Sequence, residues 1–410
     1  MADRGTEGAA RGRRAIGRPA GAVGAVGAVG AAGAAIVAAL ALAVAALGAA
    51  PAAAQTVAQT APPAAPWLSE AQLADPAQVQ AIDALWAQAG PVATLVGQGD
   101  LRLAWLRWLQ PDRAAERGAI VLVSGRTEFL AKYKELVFDL WRQGWSVYLH
   151  DHRGQGRSAR EPAVADTPEK GHVGRFDDYV ADLRQFLRAQ VAPAGHRNVF
   201  LLAHSMGGAI AARLLESGNL GVPALQAAAL SSPMLRIRGL GGLPADWLSC
   251  PLAHSMRAFG ADTRWVPGGG GYEDKGFPDN PYTGSPVRYQ RVQAELAREA
   301  QLRLGSPTVG WVAEACDAAA AARADAGRVA TPTLVVLAGG DRIVHPDGAQ
   351  AFCAVLKTAA RPEVAAGCGG PDGGPLVVPG AEHELFIERD AMRTQALQAV
   401  LQHFERFRRP

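Results

Sequence analysis

Long apolar runs separated by segments of helical spacing are the feature that most constrains how this chain folds. The runs are continuous rather than alternating, as in AIVLVSG (119–125), WSVYLHD (145–151), NVFLLAHS (198–205) and TPTLVVLAGG (331–340). Continuous apolar runs are typical of strands that are buried on both faces of a sheet. Regular alternation of such strands with helices favours parallel pairing. The sequence therefore predicts an α/β protein with a mainly parallel sheet and helices on both of its faces.

The segments between the runs have the spacing of amphipathic helices, as at 129–144 and 176–191. A stretch at 96–110 alternates apolar and polar residues and predicts exposed antiparallel strands where the sheet starts. The strand–helix alternation stops between about residues 234 and 327. We interpret this region as an insertion that forms a lid over the carboxyl edge of the sheet, because ligands bind at that edge in such folds.

Residues 1–54 have the three regions of an export signal. Five arginines precede an apolar stretch of 14 residues at 34–47, which fits a signal core of about 7–15 residues better than a membrane span of ~20. Small residues at 52–54 offer a cleavage site before Gln55. We predict export to the periplasm or the extracellular space, and the alternative is an uncleaved segment that anchors the chain in the inner membrane.

The charge of the chain is concentrated in this N-terminal segment. Its five arginines and two acidic residues account for the whole formal net charge of +3, so the remainder is balanced. No basic stripe is present, which argues against a nucleic-acid partner. A linker rich in proline, alanine and glutamine at 55–66 separates the leader from the folded part, which we place at 67–410.

The four cysteines all lie in the folded part and follow no CxxC metal-binding pattern. An even number in an oxidising compartment permits two disulfides. We favour Cys250–Cys316 and Cys353–Cys368, because each pair would cross-link one local region, and buried free thiols are the alternative. We expect no metal and no cofactor.

Ser205 stands where a predicted strand turns into a predicted helix, in LLAHSMGGAI (201–210). The pattern small-x-Ser-x-Gly is that of a nucleophile elbow, in which a strained turn presents the serine hydroxyl above the sheet. Gly207 is the small residue that follows the serine, and Ala203 replaces the usual glycine that precedes it. The helix that starts beyond Ser205 favours developing negative charge at its N-terminus. We predict that Ser205 is a nucleophile.

A serine nucleophile needs a base, and the base needs an acid that orients it. Asp341 directly follows the strand at 331–340, and His383 lies in the loop GAEHELF before the last helix. Both positions are at the carboxyl edge of the sheet, so we predict Ser205, His383 and Asp341 as a catalytic triad. Asp347 is the alternative acid, although we expect it to cap the next helix.

The oxyanion of an acyl-transfer intermediate needs two hydrogen-bond donors. We predict the backbone N–H of Met206, directly after the serine, and that of Arg126 in the loop SGRTE (124–128). The alternative for SGRTE is an ordinary strand-to-helix turn. We interpret three other histidines differently. We expect His204 to point away from the serine, His345 to be structural and His403 to lie on the surface.

With these residues in place, the chain resembles serine α/β-hydrolases of the lysophospholipase and monoacylglycerol lipase group over residues 95–410. Bacterial lysophospholipases are the most similar. The motifs that carry the resemblance are SGRTEFLAKYKELVFDL, DHRGQGRS (151–158), FDDYVADL, AHSMGG, NPYTGSPVRYQR (280–291), GGDRIV and GAEHELF. The resemblance implies the same triad and the same oxyanion donors. We interpret Asp151 and Arg153 of DHRGQGRS as groups that tie loops together.

The expected function is hydrolysis of the carboxylic ester of a single-chain lipid, a lysophospholipid or a monoacylglycerol, through an acyl-enzyme. This substrate implies peripheral contact with a membrane as a further expectation. The first alternative is an aminopeptidase of the proline-iminopeptidase kind, in which acidic lid residues such as Glu273, Asp274 and Asp279 would bind the substrate amine. The second alternative is a non-catalytic binding protein on the same fold.

Overall fold

The computed structural model describes residues 67–218, 224–239, 246–274 and 276–410. The predicted leader (1–54) and linker (55–66) lie outside the described residues. None of the helices in the described part of the chain is both long enough and apolar enough to cross a membrane.

The described residues form one eight-stranded sheet with the strand order β1-β2-β4-β3-β5-β6-β7-β8. The first two strands are antiparallel to their neighbours, and every other pair is parallel. The strands are β1 (Ala93–Val96), β2 (Arg102–Trp108), β3 (Gly118–Val123), β4 (Trp145–His150), β5 (Val199–His204), β6 (Leu225–Ser231), β7 (Thr333–Ala338) and β8 (Leu376–Val378). The predicted mainly parallel sheet is confirmed.

Helices cover both faces of this sheet. One face packs against α4, α5, α8 and α9, and the other packs against α2, α3 and α11. The helices are α1 (Glu70–Leu73), α2 (Pro76–Ala87), α3 (Lys134–Arg142), α4 (Phe176–Phe186), α5 (Met206–Glu216), α6 (Asp246–Ala258), α7 (Pro286–Arg298), α8 (Val309–Asp325), α9 (Pro346–Leu356), α10 (Pro362–Ala365) and α11 (Asp390–Phe407).

Strand β3 shows why the apolar runs are continuous. Val121 and Val123 belong to the core on one face of the sheet, whereas Ile120 and Leu122 belong to the core on the other face. All six residues of β3 are buried. Successive side chains of a strand point to opposite faces, so a strand covered on both faces needs an apolar residue at every position.

The predicted insertion corresponds to the segment between β6 and β7. Helices α6 and α7 belong to this segment, and so does α8. Helix α8 packs on α5 and α9 and belongs to the core on one face of the sheet. The last helix of the predicted insertion is therefore part of the body of the fold.

Two disulfides are present in the described residues, and they are the pairs that the sequence favoured. Cys250 on α6 bonds Cys316 on α8, and Cys353 on α9 bonds Cys368. The bonded residues are 66 and 15 positions apart. By loop-closure entropy, loops of these lengths stabilise the fold by about 4 and about 3 kcal/mol, respectively. The first disulfide fixes an insertion helix to the body of the fold.

Candidate active site

Ser205 occupies a strained turn between β5 and α5. Its backbone has φ +52° and ψ −119°, a conformation that residues other than glycine seldom adopt. The Ser205 N–H donates to the carbonyl of Ser231, and the Ser205 carbonyl accepts from the Met234 N–H at 2.8 Å. These bonds to the last residue of β6 and to the segment that follows it hold the turn in place.

The residues around the turn must be small because α5 begins very close to β3. A β-carbon on Gly207 would lie 2.2 Å from the carbonyl oxygen of Val123, which is a backbone atom that cannot move aside. A β-carbon on Gly208 would lie 2.6 Å from the Pro233 ring. Ala203 is fully buried and its methyl group is accommodated. The second small position of the elbow therefore needs glycine, whereas the first tolerates alanine.

A chain of hydrogen bonds joins the serine, the histidine and the aspartate that the sequence singled out. Nε2 of His383 lies 2.9 Å from Oγ of Ser205, and Nδ1 of His383 lies 2.7 Å from Oδ2 of Asp341. Ser205 is 8% exposed and His383 is 3% exposed. The structure thus brings together three residues from the β5–α5 turn, the loop after β7 and the loop after β8, in the geometry of a serine activated by imidazole. Their catalytic roles stay predictions.

Asp341 is held in its ionised form. Burial alone would raise its pKa, but the hydrogen bond and charge of His383 and the N–H groups of Ile343 and Val344 lower the pKa of Asp341. Those two N–H groups donate to Oδ1 at 2.8 and 3.0 Å. An ionised Asp341 keeps a proton on Nδ1 of His383, which leaves Nε2 free to accept the serine proton.

The alternative acid lies in a different environment. Asp347 is in the first turn of α9 and pairs with Arg236, with 3.2 Å between Nη1 and Oδ2. Both side chains are exposed. His345, rather than Asp347, caps α9, because its Nδ1 accepts the Asp347 N–H at 3.4 Å.

Two backbone N–H groups near Ser205 are available to an oxyanion. Within the described residues, neither the Met206 N–H nor the Arg126 N–H donates to a protein acceptor. A β-carbon on Gly125 would lie 3.1 Å from the Ser205 β-carbon, so this loop runs very close to the serine. Gln155 fixes the loop by donating to the Gly125 carbonyl at 2.7 Å. This arrangement is suited to the predicted oxyanion role, which stays a prediction.

A buried network of charges that the sequence reasoning did not identify connects this loop to the histidine loop. Glu128 accepts hydrogen bonds from the Gly125 N–H and from the Tyr133 hydroxyl. Nζ of Lys132 lies 2.7 Å from Glu128 and 2.6 Å from Glu384, the residue next to His383. The signal was present in the sequence as an acid and a lysine four positions apart in SGRTEFLAKY.

Lys132 keeps the neighbouring carboxyl group ionised. Burial alone would raise the pKa of Glu128, but the charge of Lys132 and hydrogen bonds from Lys132 and Tyr133 lower it to about 2. In the part of the chain that the structure describes, Glu128, His204 and Glu384 form the one cluster whose ligand atoms could surround a metal. Lys132 already pairs with both of these carboxylates, so its ammonium supplies the positive charge that they require.

One prediction about a histidine was wrong, and another holds only in part. The His204 ring does not point away from the site, because its centre lies 4.8 Å from that of His383 and it lines the cavity beside Ser205. Burial lowers the pKa of His204 to about 3, so its ring is neutral at pH 7. His403 is half-buried rather than fully exposed: burial lowers its pKa to about 4, and its Nε2 lies 3.3 Å from the carbonyl oxygen of Pro332.

The DHRGQGRS motif ties loops together, as predicted. Asp151 accepts the Leu130 N–H at 2.8 Å and the Arg157 N–H at 2.7 Å. Nε of Arg153 donates to Asp182 at 2.7 Å. The bonds to Leu130 and Asp182 join distant segments of the chain, and the bond from Arg157 closes a tight turn. These bonds support a structural role for the motif.

Two cavities that share wall residues adjoin each other, and the smaller one opens at Ser205. The smaller cavity has a volume of about 230 Å³ and contains Ser205 and His383 in its wall. The larger cavity has a volume of about 490 Å³ and is lined in part by the glycine loop 268–271. The walls of both cavities share Arg126, Thr127, Tyr282, Pro307 and Glu384. The apolar residues of the smaller cavity are Met234, Ile237, Pro307, Trp311, Ile343 and Val344.

A mainly parallel sheet with a strained strand–serine–helix turn at its carboxyl edge defines the class of α/β-hydrolases. A family model described as serine aminopeptidase S33 matches residues 114–390, and the chain belongs to this family. Lysophospholipase L2 of Escherichia coli is 38% identical over 321 residues, which are 78% of this chain and 88% of that protein. A probable lysophospholipase L2 of Haemophilus influenzae is 31% identical over 314 residues, which are 77% of this chain and 91% of that protein.

Solved structures share the fold at low sequence identity. A soluble variant of monoglyceride lipase from Saccharomyces cerevisiae matches with a TM-score of 0.58 at 18% identity, covering 78% of this chain and 96% of that chain. A carboxyl esterase from Bacillus coagulans matches with a TM-score of 0.55 at 15% identity, covering 77% of this chain and 98% of that chain. The predicted α/β-hydrolase fold and the predicted membership of the lysophospholipase group are confirmed.

Replacing Lys132 by methionine should destabilise the fold by about 3–5 kcal/mol at pH 7, because the buried and ionised Glu128 carboxylate loses its counter-charge. In the unmodified protein, the lowered pKa of Glu128 stabilises the folded state at every pH above 4.5, the ordinary pKa of glutamate. This stabilisation is lost as the pH falls from 4.5 towards 2. The deficit of the variant should therefore be constant between pH 7 and about 4.5 and shrink as the pH falls from about 4.5 towards 2. Urea unfolding at several pH values measures both effects.

The control for this experiment is K357M, because Lys357 is exposed and bonds only to a backbone carbonyl among the described residues. We expect a change within about 0.5 kcal/mol for this control. A K132M protein as stable as K357M would show that the buried network contributes nothing.

Proposed function

We propose that this chain is a serine hydrolase that cleaves the carboxylic ester of a single-chain lipid, a lysophospholipid or a monoacylglycerol. The observation that carries the proposal is the hydrogen-bonded series Ser205–His383–Asp341 at the wall of a cavity. Relatives named lysophospholipase L2 match most of the chain and support the lipid substrate.

The proposed reaction has two steps. His383 accepts the Ser205 proton on Nε2 while Oγ attacks the acyl carbonyl, and Asp341 stabilises the imidazolium that forms. The N–H groups of Met206 and Arg126 bind the oxyanion. His383 then donates the proton to the leaving alcohol. A water molecule, activated by the same imidazole, hydrolyses the acyl-enzyme and releases the fatty acid.

The walls of the two cavities support a substrate with one acyl chain. The smaller cavity is lined largely by aliphatic side chains and Trp311, which favour a hydrocarbon chain beside the serine. The larger cavity mixes hydrogen-bonding groups, such as those of Thr127, Asn280 and Gln293, with apolar side chains such as Phe129 and Leu296, so it has room and partners for a polar head. A lipid ester with an apolar part and a polar part fits such a pair of cavities.

An aminopeptidase would use the same serine and histidine but needs acids that bind the substrate amine. Of the three lid acids considered from the sequence, Glu273 lines the larger cavity. Asp274 instead accepts the Gly276 N–H at 2.9 Å and the Tyr289 hydroxyl at 3.3 Å. Lipid esters are our proposal because the relatives that match most of the chain are named lysophospholipase, and amides are the competing outcome of the experiment.

Replacing Ser205 by alanine should abolish labelling by a fluorophosphonate probe and lower kcat by at least roughly 10³-fold, because the nucleophile is gone. Replacing Asp341 by asparagine should lower kcat by roughly 10⁴-fold, because the imidazole loses its orienting charge. The substrate panel contains lysophospholipids, monoacylglycerols, short p-nitrophenyl esters and aminoacyl amides.

The matched control is S255A, since Ser255 is an exposed serine on α6 and should leave labelling and turnover unchanged. Labelling of S205A at the level of S255A would exclude Ser205 as the nucleophile. Faster hydrolysis of aminoacyl amides than of the lipid esters would refute the lipid substrate.

We also propose that the chain contacts a phospholipid surface through the ends of α6. Trp247 is 71% exposed and Phe259 is 88% exposed, and they lie at the start of α6 and directly after its end. Tryptophan favours the membrane interface, and a second exposed aromatic side chain at the other end of the same helix would add another apolar anchor. We choose a lipid surface as the partner because the proposed substrate is itself a membrane lipid.

The double variant W247S/F259S should bind less to vesicles of phosphatidylethanolamine and phosphatidylglycerol, because it loses two apolar anchors. Hydrolysis of a short, soluble p-nitrophenyl ester should be unchanged. Flotation of protein with vesicles measures the binding. The control V96S/L109S removes two exposed apolar residues at the β1–β2 edge. Equal binding by both double variants would contradict docking through α6.

Finally, we propose that the chain is exported and cleaved before Gln55. The proposal is supported by the leader pattern in residues 1–54 and by the two disulfides, which form in oxidising compartments. N-terminal sequencing of the protein from fractionated cells should give Gln55 in the periplasm or the medium. An intact leader in the inner membrane would favour the anchor, and an intact leader in the cytosol would contradict export.

A further inference from the structure

The Arg126 side chain stands between the two cavities at the serine and belongs to the walls of both. Its guanidinium lies over the Trp311 ring, 5.3 Å from the ring centre. Nη2 donates to the Gly305 carbonyl at 2.5 Å. A β-carbon on Gly171 would lie 2.3 Å from Nη2, so the guanidinium is held against the backbone of this glycine. Its position is therefore fixed without help from an acid.

The charge of Arg126 has no carboxylate partner among the described residues, and its Nε is buried without a hydrogen-bond partner. Other buried arginines of the described chain are paired: Arg153 with Asp182, Arg288 with Glu135, and Arg393 with Asp139. Burial lowers the pKa of Arg126 to about 10, so the guanidinium is still protonated at pH 7. A fixed positive charge at a cavity wall, without its own counter-ion, is suited to an anionic ligand group.

We infer that the Arg126 guanidinium binds the phosphate of the substrate head group, so that the site takes lysophospholipids in preference to uncharged monoacylglycerols. The inference rests on the proposed lipid-ester hydrolysis. Arginine is well suited to this task because its planar fork of donors matches the oxygens of a phosphate.

The position of the phosphate follows from the two ends of this one residue. The Arg126 backbone directly follows Gly125, which lies close to Ser205, where the ester carbonyl would react, and the guanidinium lies one side-chain length away against Gly171, Gly305 and Trp311. In a lysophospholipid a glycerol unit separates the ester from the phosphate by a similar span. The 490 Å³ cavity beyond the guanidinium then receives the rest of the head group.

A second arginine provides the competing location. Arg238 also lines the smaller cavity, where its Nε donates to the Val344 carbonyl at 3.1 Å, and within the described residues it pairs with no carboxylate. Arg238 is half-buried, whereas the nearby Arg236 is exposed and paired with Asp347. R238M therefore tests the competing location, and R236M is the control variant.

The experiment compares kcat/KM for a lysophosphatidylcholine and a monoacylglycerol with the same short acyl chain, both below their aggregation thresholds. R126M should lower the ratio of the two values by about 10- to 100-fold, which is the range for losing charged hydrogen bonds. R126K should retain part of the preference because it keeps the charge. R236M should leave the ratio unchanged.

A second measurement uses the unmodified protein and does not depend on the variants folding. Glycerophosphocholine should inhibit competitively, and glycerol at the same concentration should not. Inhibition by inorganic phosphate at a similar concentration would show a general anion site rather than a head-group site, and would overturn the assignment to the lipid phosphate.

The remaining outcomes separate this inference from the function on which it rests. Equal losses on both substrates in R126M, or a changed ratio in R238M alone, would overturn the role of Arg126 and leave ester hydrolysis intact. A preference of the wild-type protein for monoacylglycerol would also overturn the role of Arg126 and leave ester hydrolysis intact. Failure of the wild-type protein to cleave either lipid would instead refute the proposed function.

Discussion

The contact between the start of α5 and the end of β3 is the constraint on which the site depends. Helix and strand approach so closely that only a glycine fits at position 207. This closeness forces the backbone of Ser205 out of the usual regions, at a cost of about 1–3 kcal/mol that hydrogen bonds to Ser231 and Met234 offset. The same turn aims the hydroxyl at His383 and frees the Met206 N–H. One packing contact thus sets the positions of the predicted nucleophile and of a predicted oxyanion donor.

Much of this arrangement could be predicted because it follows from local patterns and from the topology of parallel sheets. Continuous apolar runs identify strands that are buried on both faces, and residues after such strands meet at the carboxyl edge. Asp341 and His383 follow two strands that lie on the same side of β5 in the sheet order. Their meeting with Ser205 therefore required only the order of elements, not the details of packing.

The features that escaped prediction depend on contacts between distant side chains. The pairing of Lys132 with Glu384 joins two loops that no local pattern connects. Ala-rich α8 has no distinct apolar stripe, since alanine is equally common on all its sides, so its place in the body of the fold could not be distinguished from a place in the lid. His204 is polar in sequence but lies in a buried setting between Glu128 and His383.

The Cys250–Cys316 bond has a consequence for how α6 can move. The bond holds the Cα atoms of Cys250 on α6 and Cys316 on α8 at a distance of 5.8 Å. Helix α8 is itself anchored in the core against α5 and α9. Helix α6 therefore cannot swing outward as a rigid flap while this bond is intact. An oxidising environment thus keeps α6 attached to the body of the fold, and a reducing environment would remove this restraint.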